Sequence, residues 1–540
     1  MSGILTHVPL GALRDHSRLF LDYVEGLRKG VPPFIAPVSG SDVVGDHLGP
    51  IETSISSEDR ETWKELAAEI ADLSERLGTD TEVVGKLRGE ARPHFVVTGQ
   101  QPGVLGGPLL AAYKVATAIA LAAHLEKRMK HPVVPLYWCG SDDVDFPEIR
   151  DFNMLTSQLT PVTASIPQSA YRAGMPVGAI DTNTARQIWT TVLPFIEPFS
   201  EHAFVGGVVG SALDRSGDHG ELSAAVLVSL LKGRVAVVDG RSGAVRRFAQ
   251  PVLSRYVELE AEIKSDVVRR GEELEKAGYH VQLATGADSG VFLVENGIRK
   301  SVTPERRDAL VWAVENDVER CSPGVIARNL VQDFAFKPLA VVLGPAEIAY
   351  RAQIGGVYDR LGVARPVDFP RLTATFLPGP LIGVIGNGAV DTLELLRDPS
   401  AAVRALYRGA VPRALSDAME KMEREIIEAI DRFRSVVVDH GSSKVQGKIQ
   451  SRVKDLRKRI DGVVDATLEA GKAEAIARWP GIAELDKTIR PGHKPQERTL
   501  ATLTPFLFGG EATSDVLLEA ADRYLGDLLD GHPNHIVYSS

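Results

Sequence analysis

Phe95-Val96-Val97-Thr98-Gly99-Gln100-Gln101-Pro102-Gly103-Val104-Leu105-Gly106-Gly107-Pro108 is the stretch that decides the fold. An apolar run breaks into a glycine-rich turn, an Ala-rich helical stretch follows over about 108–130, and a second apolar run occupies 133–138. Strand, helix, strand of this length predicts a right-handed parallel crossover, and therefore an α/β core around a parallel sheet. Ligands of such sheets gather outside the carboxyl ends of the strands, where loops meet helix N-termini. Here those ends are Thr98 onward and Cys139 onward.

A further apolar run, 339–343, ends in Gly344-Pro345 and leads into a helical pattern, a return to the same sheet from distant sequence. Between them, 160–300 mixes strand-like runs at 235–238 and 291–294 with a charged helical pattern over about 251–277, and reads as an insertion with its own small core. Upstream, Trp63, Leu66, Ile70, Leu73 and Leu77 step by three and four, which predicts a helix over 57–78 entered through Ser56 or Ser57. Two more stepped series, Leu415 to Val437 and Val445 to Val463, flank Asp439-His440-Gly441-Ser442-Ser443 and predict an antiparallel helical hairpin of coiled-coil type. A hairpin this narrow buries little alone, so a homodimer is expected through it. The expected division is a first part of the core at 1–160, an inserted region at 161–300, a second part of the core at 301–400, the hairpin at 401–480, and a segment returning to the core at 481–540.

The 540 residues are 44% hydrophobic and 24% charged, the balance of a folded chain with material for more than one core. With 71 acidic against 61 basic residues the net charge is −10, which gives no basic footprint for nucleic acid or an anionic membrane and favours small-molecule partners. Cys139 and Cys321 are too few for a disulfide framework or a thiolate zinc cluster. No basic head with a long apolar run opens the chain, so a cytoplasmic setting is expected.

Three strand-end segments are candidates for chemistry. In the first, Thr98, Gly99, Gln100, Gln101 and Gly103 lie where backbone can approach a ligand and a helix N-terminus attracts anions; the string is neither a Walker loop nor a dinucleotide fingerprint, and a tight structural turn is the plain alternative. In the second, Asp142, Asp143, Asp145 and Glu148 follow a strand directly, able to hold a divalent cation, bind an amino group or act as a general base; an exposed acidic loop with Pro147 opening a helix accounts for them equally. In the third, Glu347, Tyr350 and Arg351 share a helix face with Gln353 close by, and Glu347 and Arg351 either form a site or pair with each other. Gln332 and Asp333 are similar candidates, and no zinc spacing is present, since His532 and His535 stand near the end of the chain without matching ligands.

Together Thr98-Gly99-Gln100-Gln101-Pro102-Gly103, the strand and acidic loop of 133–146, Val331-Gln332-Asp333, Gly344-Pro345-Ala346-Glu347-Ile348-Ala349-Tyr350, and Gln496-Glu497-Arg498 followed by Pro505-Phe506-Leu507 resemble the bacillithiol biosynthesis cysteine-adding enzyme family, in the same order along the chain. The resemblance implies a Rossmann-like core of nucleotidyltransferase type with connecting-peptide insertions, a dimerising coiled coil, and a ligase that adds L-cysteine to glucosaminyl malate, with ATP or another adenine nucleotide and a divalent cation as expected cofactors. It implies nucleotide or substrate binding by Gly99, Gln100 and Gln101, handling of the amine or a metal by Asp142, Asp143 and Asp145, and positioning of the malate or cysteine end by Glu347 and Arg351, with Arg498 in a further matching motif. Family members often carry Glu-Asp-His-Asp in the acidic loop, whereas this chain has Val144 at the histidine position. A changed acceptor, another group transfer on the same core, or a dimeric scaffold with a vestigial site therefore stand beside the ligase.

Overall fold

The computed structural model describes residues 3–13, 15–29, 59–283, 290–386, 390–440 and 442–540. Contacts divide these into two units, Met1–Pro378 with Pro491–Ser540, and Gly379–Arg490.

The first unit is built on five parallel strands, β1 (His94–Gln100), β2 (Val133–Cys139), β3 (Ala236–Asp239), β4 (Ala340–Leu343) and β5 (Val367–Pro370), in the order β5-β4-β1-β2-β3. Phe95, Val96 and Val97 are all buried, as the strands of a sheet covered on both faces must be. Register sets Thr98 beside Tyr137 on one side and Val342 on the other. The crossover from β1 to β2 is α1 (Leu109–Met129). Its many alanines let it lie close to the sheet, with the helix Ala512–Leu529 against its other side. It is long and apolar enough to cross a bilayer, yet 78% of its apolar window is buried inside the protein, which is the mark of a core helix.

The strand expected at 235–238 inside the insertion is in fact β3, paired in parallel with β2 through Leu136 beside Ala236. A short apolar run carries no record of its partner, and only the tertiary path places it. Helix α2 (His219–Leu230) precedes β3 and covers the sheet. The run at 291–294 forms a small antiparallel sheet of Val291–Glu295, Ile298–Lys300 and Cys321–Pro323. Helix α3 (Val325–Phe336) leads into β4, and α4 (Pro345–Gln353) follows it. The upstream helix spans Asp59–Leu77; its expected entry at Ser56 or Ser57 lies outside the described residues. The last strand, Asn534–Ser539, pairs with Gly3–Pro9 and Ala374–Phe376 in a separate sheet.

In the second unit, helices Arg413–His440 and Ser443–Arg478 fold back on each other, with Asp431 3.6 Å from Arg457 across the pair. Met419, Ile430, Ile460, Val464 and Leu468 are buried among themselves. Phe433, Val436, Leu456 and Val463 on the same two helices are between 44% and 56% exposed. The expected turn residue Gly441 lies outside the described residues.

Candidate active site

Strand order reverses between β1 and β4, because β1 leads on to β2 at one side and β4 to β5 at the other. A crevice is expected at that reversal, beyond the carboxyl ends of the two strands. Lys114, on the second turn of α1, lies beside these strand ends. Its ammonium donates to Gly99 O at 2.7 Å and Gln100 Oε1 at 2.9 Å, and lies 2.5 Å from Glu347 Oε2. These acceptors use all three ammonium protons of a lysine only 2% exposed; burial pushes its ammonium below its ordinary value and the Glu347 carboxylate opposes that shift. Glu347 also accepts from Gly344 N at 2.7 Å, which closes the first turn of α4. Burial alone would raise the Glu347 carboxyl, but the Lys114 charge and the Gly344 N–H hold it below its ordinary value.

The acidic loop after β2 joins the same rim. Gln101 Nε2 donates to Asp143 Oδ2 at 2.8 Å, while Arg299, from the small antiparallel sheet, reaches Asp143 Oδ1 at 3.4 Å and Asp142 O at 3.3 Å. Arg299 is fixed in turn by Pro323 O at 3.0 Å and by the Phe292 ring beneath it. Asp142 is buried; Ser322 Oγ donates to it at 3.1 Å and Arg246 stands 4.0 Å away. Burial pushes its carboxyl up, against the charges of Arg299 and Arg246. Asp143 is partly exposed, and Asp145, more exposed still, opens the short helix Phe146–Ile149. Val144 lies half-buried in this loop, its carbonyl accepting from Tyr171 Oη at 2.7 Å.

Several expected ligand residues are instead committed to the scaffold. Thr98 is buried, and its hydroxyl donates to Val342 O at 2.9 Å, tying β1 to β4. Gly99 faces the Trp138 carbonyl, where a Cβ would stand 3.3 Å from it. At Gly103 a Cβ would come within 2.5 Å of the Gly107 Cα, so this glycine serves a tight fold of the loop. The helix N-terminus expected to draw an anion is occupied, since Leu109 N donates to Leu500 O at 2.8 Å. Arg351, expected at the malate or cysteine end, is wholly buried: its guanidinium bonds Asp333 at 2.9 Å, Asp368 at 2.5 Å and Asn329 at 2.8 Å. Glu347 and Arg351 are thus each paired elsewhere. Gln353 is held by Leu283 N and O, and Gln332 by Asp333. Arg498 is exposed, whereas its neighbours are buried, Glu497 against Arg371 and Gln496 against the Phe376 backbone. Tyr350 remains at the rim, within 3.4 Å of Arg328.

Lys114, Arg299 and Arg328 are the residues that reading for motifs missed. Lys114 carried a signal, as the lone charge in the first fifteen residues of α1. Arg328 carried a similar one, as the lone charge between Arg320 and Asp333, whereas Arg299 stands beside Lys300 and carried none. Among the described residues no three His, Cys, Asp or Glu side chains converge as a metal site requires.

Residues 46–372 match the N-terminal Rossmann-like domain of bacillithiol biosynthesis BshC proteins. A Natranaerobius thermophilus protein named "Putative cysteine ligase BshC" is 26% identical over 364 residues, covering 64% of this chain and 66% of that protein. A protein of the same name from Koribacter versatilis is 27% identical over 469 residues, covering 79% and 84%. A solved Mycobacterium tuberculosis methionyl-tRNA synthetase in complex with methionyl-adenylate aligns over 82% of this chain and 94% of its own at 12% identity, with a TM-score of 0.25, too loose to bear on function. With a family match over more than half its length, on a parallel sheet whose strand-end segments meet at one rim, the chain belongs to the bacillithiol biosynthesis BshC family.

Proposed function

We propose that this protein joins the carboxyl of L-cysteine to the amine of glucosaminyl malate, the last step in making bacillithiol. The single observation that carries the reading is the meeting, at the order reversal of the sheet, of three segments far apart in sequence: Gln101 on Asp143, and Lys114 on both Gly99 and Glu347. In the reaction, the acceptor nitrogen attacks the activated cysteine carbonyl carbon, the C–N bond forms, and the leaving group departs with its electron pair. The amine proton passes to the Asp143 carboxylate, which is partly exposed and held in place by Gln101 and Arg299. Gln101 Oε1, buried and with no hydrogen-bond donor among the described residues, is placed to accept from the same amine.

An adenine nucleotide, when bound with its divalent cation, supplies the leaving group on the cysteine carboxyl. Arg299, whose guanidinium stands against the acidic loop at Asp143, is the rim cation that would face its phosphates. A second copy of the chain is the proposed cover for the apolar seam at Phe433 and Val436, and the cytosol the proposed setting for the two free, buried cysteines.

The test is incubation of the purified protein with cysteine, ATP and glucosaminyl malate, with mass spectrometry for the amide. Product that requires all three is expected. Nucleotide turnover independent of cysteine points instead to another group transfer, and no binding of any of the three by calorimetry points to a scaffold.

A further inference from the structure

The guanidinium of Arg328, carried on the first turn of α3, stands half-buried at the rim. Tyr350 of α4 meets it, and the carboxylates of Glu347, Asp142 and Asp143 are close enough to favour its charge. The arginines around it are committed: Arg351 to Asp333 and Asp368, Arg371 to Glu497, and Arg299 to Asp143, Asp142 O and Pro323 O. Arg328 is not. Among the described residues its side chain makes a single hydrogen bond, to Tyr350 Oη at 3.4 Å, and no ion pair.

A guanidinium offers five N–H donors in a rigid planar fork whose geometry matches a carboxylate at two points. A half-buried guanidinium with most of its donors free of protein partners has them open to an anion, as a binding group requires.

We propose that Arg328 is the carboxylate-binding residue of this site and takes a malyl carboxylate of the acceptor in a two-point hydrogen bond, with Tyr350 Oη steadying the guanidinium. This rests on the ligase reading above and gives it a specificity determinant. The cysteine carboxyl shares the same chemistry but is consumed by activation, whereas the malyl carboxylates persist through the reaction. Nucleotide phosphates share it too, so the experiment separates all three sources.

Wild-type, R328Q and R328K proteins are titrated calorimetrically with malate, glucosaminyl malate, cysteine and ATP separately, and acceptor KM is measured on the same samples. R328Q is expected to weaken malate and glucosaminyl malate by about 10–100-fold, the range for a charged hydrogen-bonded contact, and to leave cysteine and ATP at wild-type affinity. R328K restores part of the loss, since it returns the charge without the fork. Wild-type cysteine affinity and an unchanged unfolding midpoint in R328Q show that its fold is intact. The inference is overturned if R328Q keeps wild-type affinity for malate and glucosaminyl malate, if the loss falls on cysteine or ATP, or if the wild type binds neither malyl compound. A wild type that binds malate through Arg328 but forms no amide ends the ligase reading and leaves this site standing.

Discussion

Lys114, buried, and Glu347, partly buried, stand 2.5 Å apart in an ion pair that joins the helix after β1 to the helix after β4 across the order reversal of the sheet. Removing either partner leaves the other charge uncompensated. K114M should therefore lower stability by about 3–5 kcal/mol, whereas the double variant K114M/E347L should recover much of that loss. Urea unfolding of the two single variants and the double variant measures the coupling. A double variant that regains stability but not product separates what the pair does for folding from what it does for turnover.

Asp143 holds the acidic loop to Gln101 without being sealed in. D143N keeps the shape of the side chain and removes the proposed proton acceptor. Amide formation should fall by about 100-fold or more with the unfolding midpoint nearly unchanged. Unchanged turnover removes Asp143 from the reaction.

Arg351 is expected to behave in the opposite way. Its three buried partners make it part of the scaffold, so R351M should cost about 3–5 kcal/mol in stability, by the same reasoning as for any broken buried pair. Protein that remains folded should show wild-type KM values. A raised acceptor KM at wild-type stability would return Arg351 to the ligand.

Burial lowers His219 from 6.5 to about 4, its Nε2 donating to Pro102 O at 2.8 Å. The unfolded chain takes up a proton near pH 6.5 that the folded chain refuses until near pH 4. Stability is therefore lost as the pH falls through that window, by up to about 3 kcal/mol from this residue. His535 is lowered to about 4 as well and acts in the same sense. H219Q should be less steep than wild type in a plot of unfolding free energy between pH 7 and pH 5. Parallel slopes would show that His219 titrates alike in both states.

The exposed apolar residues of the second unit supply a test of assembly. F433E places a charge on the proposed seam, and sedimentation should then show a smaller species than wild type. Identical sedimentation would exclude a seam through Phe433.

Much of this architecture was legible in local pattern. The runs at 95–97, 133–138 and 339–343 are strands, and the three- and four-residue steps from Trp63 and from Leu415 are helices, because burial on one face imposes its period on the residues themselves. The strand-end position of Gln101, Asp143 and Glu347 was legible for the same reason. The place of β3 was not, since a four-residue apolar strand looks alike at a sheet edge and in a small separate core.

The sequence alone determined the element types, the parallel crossover and the family motifs. It could not decide which charged side chains face a ligand, because Arg351 and Arg328 are alike in type and differ only in what surrounds them. Three-dimensional packing closes Asp333 and Asp368 around one guanidinium and leaves the other with a single long hydrogen bond at the rim. That difference is a matter of which partners fall within reach once distant strands pair, and only tertiary structure sets those distances.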